Sequence, residues 1–272
     1  MTEGRSWPIE AAVVDLDDGT SLALHTCTPD DERGVVVLVH GIFGSKEDFD
    51  TVLPALAEEG FTGCALDLRG CFESTSPGPF SLEVFAEDVI ALVAEIGSDI
   101  PVHLVGQGFG GLVAEEAALL EPHFWDSVTL VSSGPGGLGR TRPLRFVEDA
   151  LDAERPLVDI HREFLEILGL TEEHPSTFIT ERLSATDPRA VAAMIDAAEN
   201  TPDRSAALCA TGIDFHVVYG EYADSWPVPA QVAMARKFGA DPVVLKGCSD
   251  HPAEDRPEAT ARALVQNFLE LD

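Results

Sequence analysis

Four loops in this chain carry residue types that chemistry uses. His40-Gly41-Ile42-Phe43-Gly44-Ser45 and Gly106-Gln107-Gly108-Phe109-Gly110-Gly111 are rich in glycine, and two later loops opened by Gly220 and Gly247 carry Asp224, Asp250 and His251. Carboxyl and imidazole groups hold and move protons, so these three residues are candidates for acid–base work. The loop from Gly106 to Gly111 also spells the dinucleotide fingerprint, G-x-G-x-x-G. That reading needs an acid at the end of the next strand to hold a ribose, and Val128-Thr129-Leu130-Val131-Ser132-Ser133 ends in serines. The fingerprint also normally opens the first strand–helix–strand unit, whereas strands precede Gly106 here. No cofactor is expected. The eight histidines never fall in an HxH or HxxxH arrangement, and Cys27, Cys64, Cys71, Cys209 and Cys248 show no paired spacing, so no metal is expected either.

The elements that must position these loops follow from periodicity. Two runs, Ala11 to Leu16 and Ser21 to Thr28, flank Asp17-Asp18-Gly19, a hairpin signal. Val35 to His40 is a continuous apolar run suited to a parallel strand covered on both faces. Lys46 to Glu59 then reads as one helix, ended by Gly60. Strands at 62–68, 102–105 and 128–131 alternate with helices at 81–96 and 112–120. From Pro143 to about Ala210 every periodic segment is helical: 144–151, 158–168, 175–183 and 188–198. Strand 215–219, helix 230–238, strand 243–245 and a last helix from Pro257 to Leu271 resume the alternation. The expected organisation is a core of residues 1–133 and 212–272 with a helical cap, 134–211, inserted between two strands. Phe109, Phe124, Phe146, Phe164 and Phe178 are candidates to line an apolar pocket, with core packing the default for each.

Composition excludes several functions. Seventeen basic against 48 acidic side chains give a net charge of −31, which repels nucleic acid and anionic membranes alike. Hydrophobic residues at 45% are enough to build a sizeable core, so the chain is not of the disordered class. No signal peptide or membrane-length apolar run is visible and the cysteines are unpaired, which points to the cytoplasm. Oligomeric state is not legible.

The four loops in this order, with Asp67-Leu68-Arg69-Gly70 between the first two, resemble the α/β-hydrolase family. The resemblance implies an α/β-hydrolase fold: a mostly parallel central sheet flanked by helices, with an inserted helical cap. It also implies a nucleophile elbow, G-x-S-x-G, and here its central residue is Gly108. The family's acid position is occupied by Ala223, with Asp224 one residue later, and its histidine position by Asp250, with His251 one residue later. The triad is therefore degenerate, and acyl-enzyme chemistry through serine is excluded, because glycine has no side chain to attack with. Two backbone donors of the family's oxyanion hole map to Ile42 and Phe109. Backbone N–H groups do not depend on the side chain at position 108, although both loops also read as tight turns that close the sheet. His40, Phe43, Gln107 and Gly108 are expected around the pocket. Glycine at 108 either relieves backbone strain or opens room for a ligand atom. Asp250, in the histidine's place, is expected to face an apolar pocket that raises its pKa.

The function expected on these grounds is non-hydrolytic: a cyclase, lyase or isomerase type of enzyme acting on an apolar, carbonyl-bearing small molecule. Ile42 and Phe109 would hold the oxyanion while Asp250 or His251 moves a proton and Asp224 orients it. Two rivals stand beside it, a pseudo-hydrolase that binds a small ligand without turnover, and a hydrolase that uses an activated water.

Overall fold

A computed structural model describes residues 7–97, 99–170 and 176–269. Its strands are β1 (Glu10–Asp15), β2 (Ser21–Cys27), β3 (Gly34–Val39), β4 (Phe61–Leu66), β5 (Val102–Gln107), β6 (Ser127–Val131), β7 (Asp214–Gly220) and β8 (Val243–Leu245). The helices of the first half are α1 (Leu53–Glu58), α2 (Leu82–Ile96) and α3 (Phe109–Leu120). Between β6 and β7 come α4 (Arg142–Asp152), α5 (Leu157–Ile167), α6 (Thr177–Ala185), α7 (Pro188–Asn200) and α8 (Ser205–Cys209). The chain closes with α9 (Val228–Lys237), α10 (Pro252–Asp255) and α11 (Pro257–Leu269).

All eight strands form one sheet in the order β1-β2-β4-β3-β5-β6-β7-β8. β1 pairs antiparallel with β2 and β2 antiparallel with β4, while every pair from β4 to β8 is parallel. β3 is buried at every residue, and its alternate side chains enter two different cores. Val35, Val37 and Val39 pack with Phe85, Val89 and Leu112 of α2 and α3, whereas Val36 and Leu38 pack with Leu53, Leu264 and Phe268 of α1 and α11. Strand order reverses direction at β3, which has β4 on one side and β5 on the other. In open parallel sheets this is where the loops at the strands' C-terminal ends part to leave a crevice.

The local chemistry of the elements is conventional. Ser81 caps α2 by accepting the Val84 N–H at 3.3 Å, and Gly97 ends the helix in the left-handed conformation. The glycines of the dinucleotide-like motif serve packing: a Cβ on Gly106 would stand 2.2 Å from the Gly110 carbonyl, and one on Gly110 2.2 Å from that of Val39. Helix α3 thus lies directly against β3 and β5. The single helix expected over 46–59 is instead a 3-10 turn, Lys46–Phe49, followed by α1. Pro54 is the reason, because its ring fits the first turn of a helix but not the interior of a continuous one. Helix α3 begins three residues earlier than its apolar pattern, since the elbow feeds straight into it. α8 was not expected, and parts of the expected segments 175–183 and 257–271 lie outside the described residues. Among the described residues no helix is long and apolar enough to cross a membrane.

Candidate functional site

Three neighbouring strands end in unusual backbone at the same place. After β3, Phe43 has φ 63°; after β5, Gly108 has φ 57° and ψ −118°; after β6, Ser132 has φ 46°. Phe43 and Ser132 are not glycine, and such conformations cost on the order of 1–3 kcal/mol each unless the surroundings compel them. The surroundings here are hydrogen-bonded: the Gly108 N–H donates to the Val131 carbonyl at 2.9 Å, and the Ser132 N–H to Val218 at 2.8 Å. A Cβ added at Gly108 would meet nothing nearer than the Gly41 Cα at 3.8 Å. A side chain has room there, so glycine at this position answers to backbone conformation and not to crowding.

These loops and helices α4 to α7 line a cavity of about 360 Å³. Its floor includes Ile42, Phe43, Gln107, Gly108 and Phe109, and its far wall includes Leu144, Phe164 and Leu168. The N–H groups of Ile42 and Phe109 donate to no group among the described residues. Phe109 stands at the first turn of α3, where backbone N–H groups are unsatisfied and the helix dipole is positive. His40, expected around the pocket, does not line it. Its ring is fully buried behind the wall: Nε2 accepts the Leu68 N–H at 3.1 Å, so Nδ1 carries the proton and donates to the Gly41 carbonyl at 2.7 Å. Burial also pushes its pKa down, which keeps the ring neutral. His40 therefore ties the β3 loop to the β4 loop.

Asp224, Asp250 and His251 all reach the same cavity. The β7 and β8 loops bring the two aspartates together: the Asp250 carboxylate accepts the N–H of Asp224 at 3.3 Å and of Ser225 at 3.2 Å. It is the Asp224 carboxyl that is pushed upward, first by burial, then by a hydrogen bond to Asp250 and by that residue's charge. Asp224 and His251 are exposed on the cavity's outer side, whereas Asp250 is half-buried.

Three lining residues had no signal in the sequence. Arg182 of α6 reaches across to Asp48, 134 residues away, with Nη1 at 2.7 Å from Oδ1. His161 of α5 packs edge-on against Phe43, ring centroids 5.3 Å apart. Burial pushes His161 down to about 4, helped by the charges of Arg182 and His251, so it is neutral at neutral pH. Each belongs to a segment whose helical pattern gives its core face but not which core it meets. Among the described residues no group of three or more His, Cys, Asp or Glu side chains is placed to hold a metal ion.

Comparison with known proteins agrees with this arrangement of elements. A profile described as the alpha/beta hydrolase family matches residues 36–263. The chain belongs to the alpha/beta hydrolase family. Among solved structures, a hydrolase from Pseudomonas aeruginosa PA01 shares the fold with a TM-score of 0.78 at 22% identity, over 95% of this chain and 98% of that one. A bromoperoxidase from Bacillus anthracis does so with a TM-score of 0.79 at 16% identity, over 96% of this chain and 100% of that one. The chain is also 30% identical over 103 residues to the sn-1-specific diacylglycerol lipase ABHD11 of Mus musculus. That match covers 38% of this chain and 33% of the mouse protein, and a match to EphD of Mycobacterium tuberculosis covers 17% of that protein. The solved structures thus match nearly the whole chain in fold, whereas the chain spans well under half the length of the curated relatives it matches in sequence.

Proposed function

We propose that this alpha/beta-hydrolase-family chain is an enzyme that moves protons on an apolar, carbonyl-bearing small molecule, without a serine nucleophile. Helices α4 to α8 act as its cap. The observation that carries the reading is the juxtaposition of Asp224 and Asp250, whose carboxylate the Asp224 and Ser225 N–H groups hold beside the cavity that Gly108 lines. The substrate carbonyl oxygen accepts from the Ile42 and Phe109 N–H groups. Asp250 as carboxylate takes a proton from the adjacent carbon, the electron pair moves onto the oxygen as an enolate, and the carboxyl group returns the proton elsewhere on the product. Each backbone donor of this kind is worth about 2.7–4 kcal/mol of transition-state stabilisation. Asp224 positions Asp250 through its backbone N–H, and the neutral His161 offers a further hydrogen bond to substrate.

The test does not require the natural substrate. A panel of cyclic ketones and thioesters is incubated in heavy water, and exchange of the α-protons is followed by NMR. Wild-type protein is expected to accelerate exchange for some members, and Asp250→Asn to abolish the acceleration. No acceleration across the panel, or full activity in Asp250→Asn, removes the reading. The binding-only rival is favoured by the replacement of all three triad positions together. It predicts ligands recovered from the cavity unchanged by mass spectrometry. Steady turnover of an activated ester without fluorophosphonate labelling would instead mark the water-activating hydrolase.

A further inference from the structure

Arg182 is 7% exposed, yet most of its hydrogen-bonding capacity is unused. Guanidinium carries five N–H donors. Here only Nη1 is engaged, by Asp48 Oδ1 at 2.7 Å and by the Ser45 hydroxyl at 3.2 Å. Nε is buried with no partner, and Nη2 makes no hydrogen bond among the described residues. Asp48 supplies no second contact: Oδ1 takes Nη1, and Oδ2 accepts the Ser45 N–H at 3.2 Å. The pairing is end-on, where arginine and carboxylate ordinarily meet side-on through two parallel bonds. The Phe178 ring, 5.1 Å from the guanidinium carbon, covers one face and sets the plane. A cation this deep, with donors unspent and standing among the cavity's lining residues, is arranged for an oxygen that arrives with the ligand.

We propose that Nη2 of Arg182 receives the carboxylate of an apolar carboxylic acid, so that the cavity selects apolar monocarboxylates. This deepens the functional reading above, and rests on it for the identity of the site. The apolar body lies against Leu144, Phe164 and Leu168, and the carboxylate sits on the α6 side of the cavity. Arginine serves here where lysine would not, since a planar fork held by Phe178 and Asp48 aims its remaining edge in one direction.

Phenylacetate and phenylacetamide, which differ in charge but hardly in shape, are the probes. Their dissociation constants are measured by calorimetry on the full chain at neutral pH. Wild-type protein is expected to prefer the acid by about tenfold or more, the equivalent of about 1.4 kcal/mol. Arg182→Met is expected to lose the preference, and Arg182→Lys to keep part of it. Asp48→Asn, which removes the competing carboxylate but leaves the arginine, is expected to tighten phenylacetate. The last variant carries the test if Arg182→Met does not fold. The proposal is overturned by equal affinity for the two probes, by no binding of phenylacetate at millimolar concentration, by an acid preference that survives Arg182→Met, or by unchanged affinity in Asp48→Asn. Because these readouts are binding constants, loss of proton exchange with an intact acid preference would strike the catalytic reading and leave the anchor in place.

Discussion

At the scale of single residues, position 108 separates what the backbone keeps from what the side chain has lost. The φ of 57° and ψ of −118° place a left-handed residue at the tip of a strand–helix turn, a conformation an L side chain enters only with strain. Gly108→Ser should therefore fit sterically but lower stability by about 1–3 kcal/mol in urea denaturation, since only backbone strain changes. On the proposed reading, in which Asp250 stands at the family's histidine position, it should hydrolyse no p-nitrophenyl ester; robust esterase activity would place His251 in the proton acceptor's role. Asp224 carries a second prediction. Its pKa is raised in the folded chain, so the fold binds that proton more tightly and loses stability as pH rises from 3.8, its ordinary value, through the raised one. Asp224→Asn should flatten this part of the pH–stability curve, which chemical denaturation across the acid range would show, and an unchanged curve would contradict the pairing.

At the scale of elements, α3 links the elbow to the end of the helical insertion. Glu115 of α3 is fully buried, and Arg204 reaches it from the segment before α8 at 3.3 Å. Arg204 also bonds Glu116 and donates to the Leu112 carbonyl at 3.1 Å. Burial pushes the Glu115 carboxyl up to about 8, against the opposing pull of Arg204. The sign follows from linkage: the folded chain holds a proton that the unfolded chain releases near 4.5, so stability falls as pH rises from 4.5 to about 8. Glu115→Gln should remove much of that slope, measured as urea midpoints at mildly acidic and mildly alkaline pH. A slope as steep as wild type would mean that Arg204 keeps Glu115 ionised throughout.

At the scale of the whole molecule, the charge of −31 acts on stability and on traffic. Like charges repel across the compact surface, and salt screens them over a Debye length of about 10 Å at 0.1 M. The Tm is expected to rise with added sodium chloride, read by calorimetry; a fall would show that attractive pairs such as Lys46 with Asp67 and Glu73 dominate the balance. The same field slows the approach of any anion, so the carboxylate selectivity proposed for Arg182 must come from contact inside the cavity and not from steering.

Much of the fold was legible in order along the chain, because strand and helix periods and the glycine turns are local signals. Val35 to Val39 announced a strand covered on both faces, and the glycines at 106, 110 and 111 announced a tight strand–helix turn. The order of the loops along the chain singles out Gly108, Asp224, Asp250 and His251. Tertiary structure decided which groups meet. It put His40 behind the wall, turned Asp250 toward the N–H groups of Asp224 and Ser225, and carried Arg182 across to Asp48. A sequence records which residues share a helix face, but a contact between residues 134 apart arises only when α6 packs near the loop after β3 and burial requires each charge to find a partner.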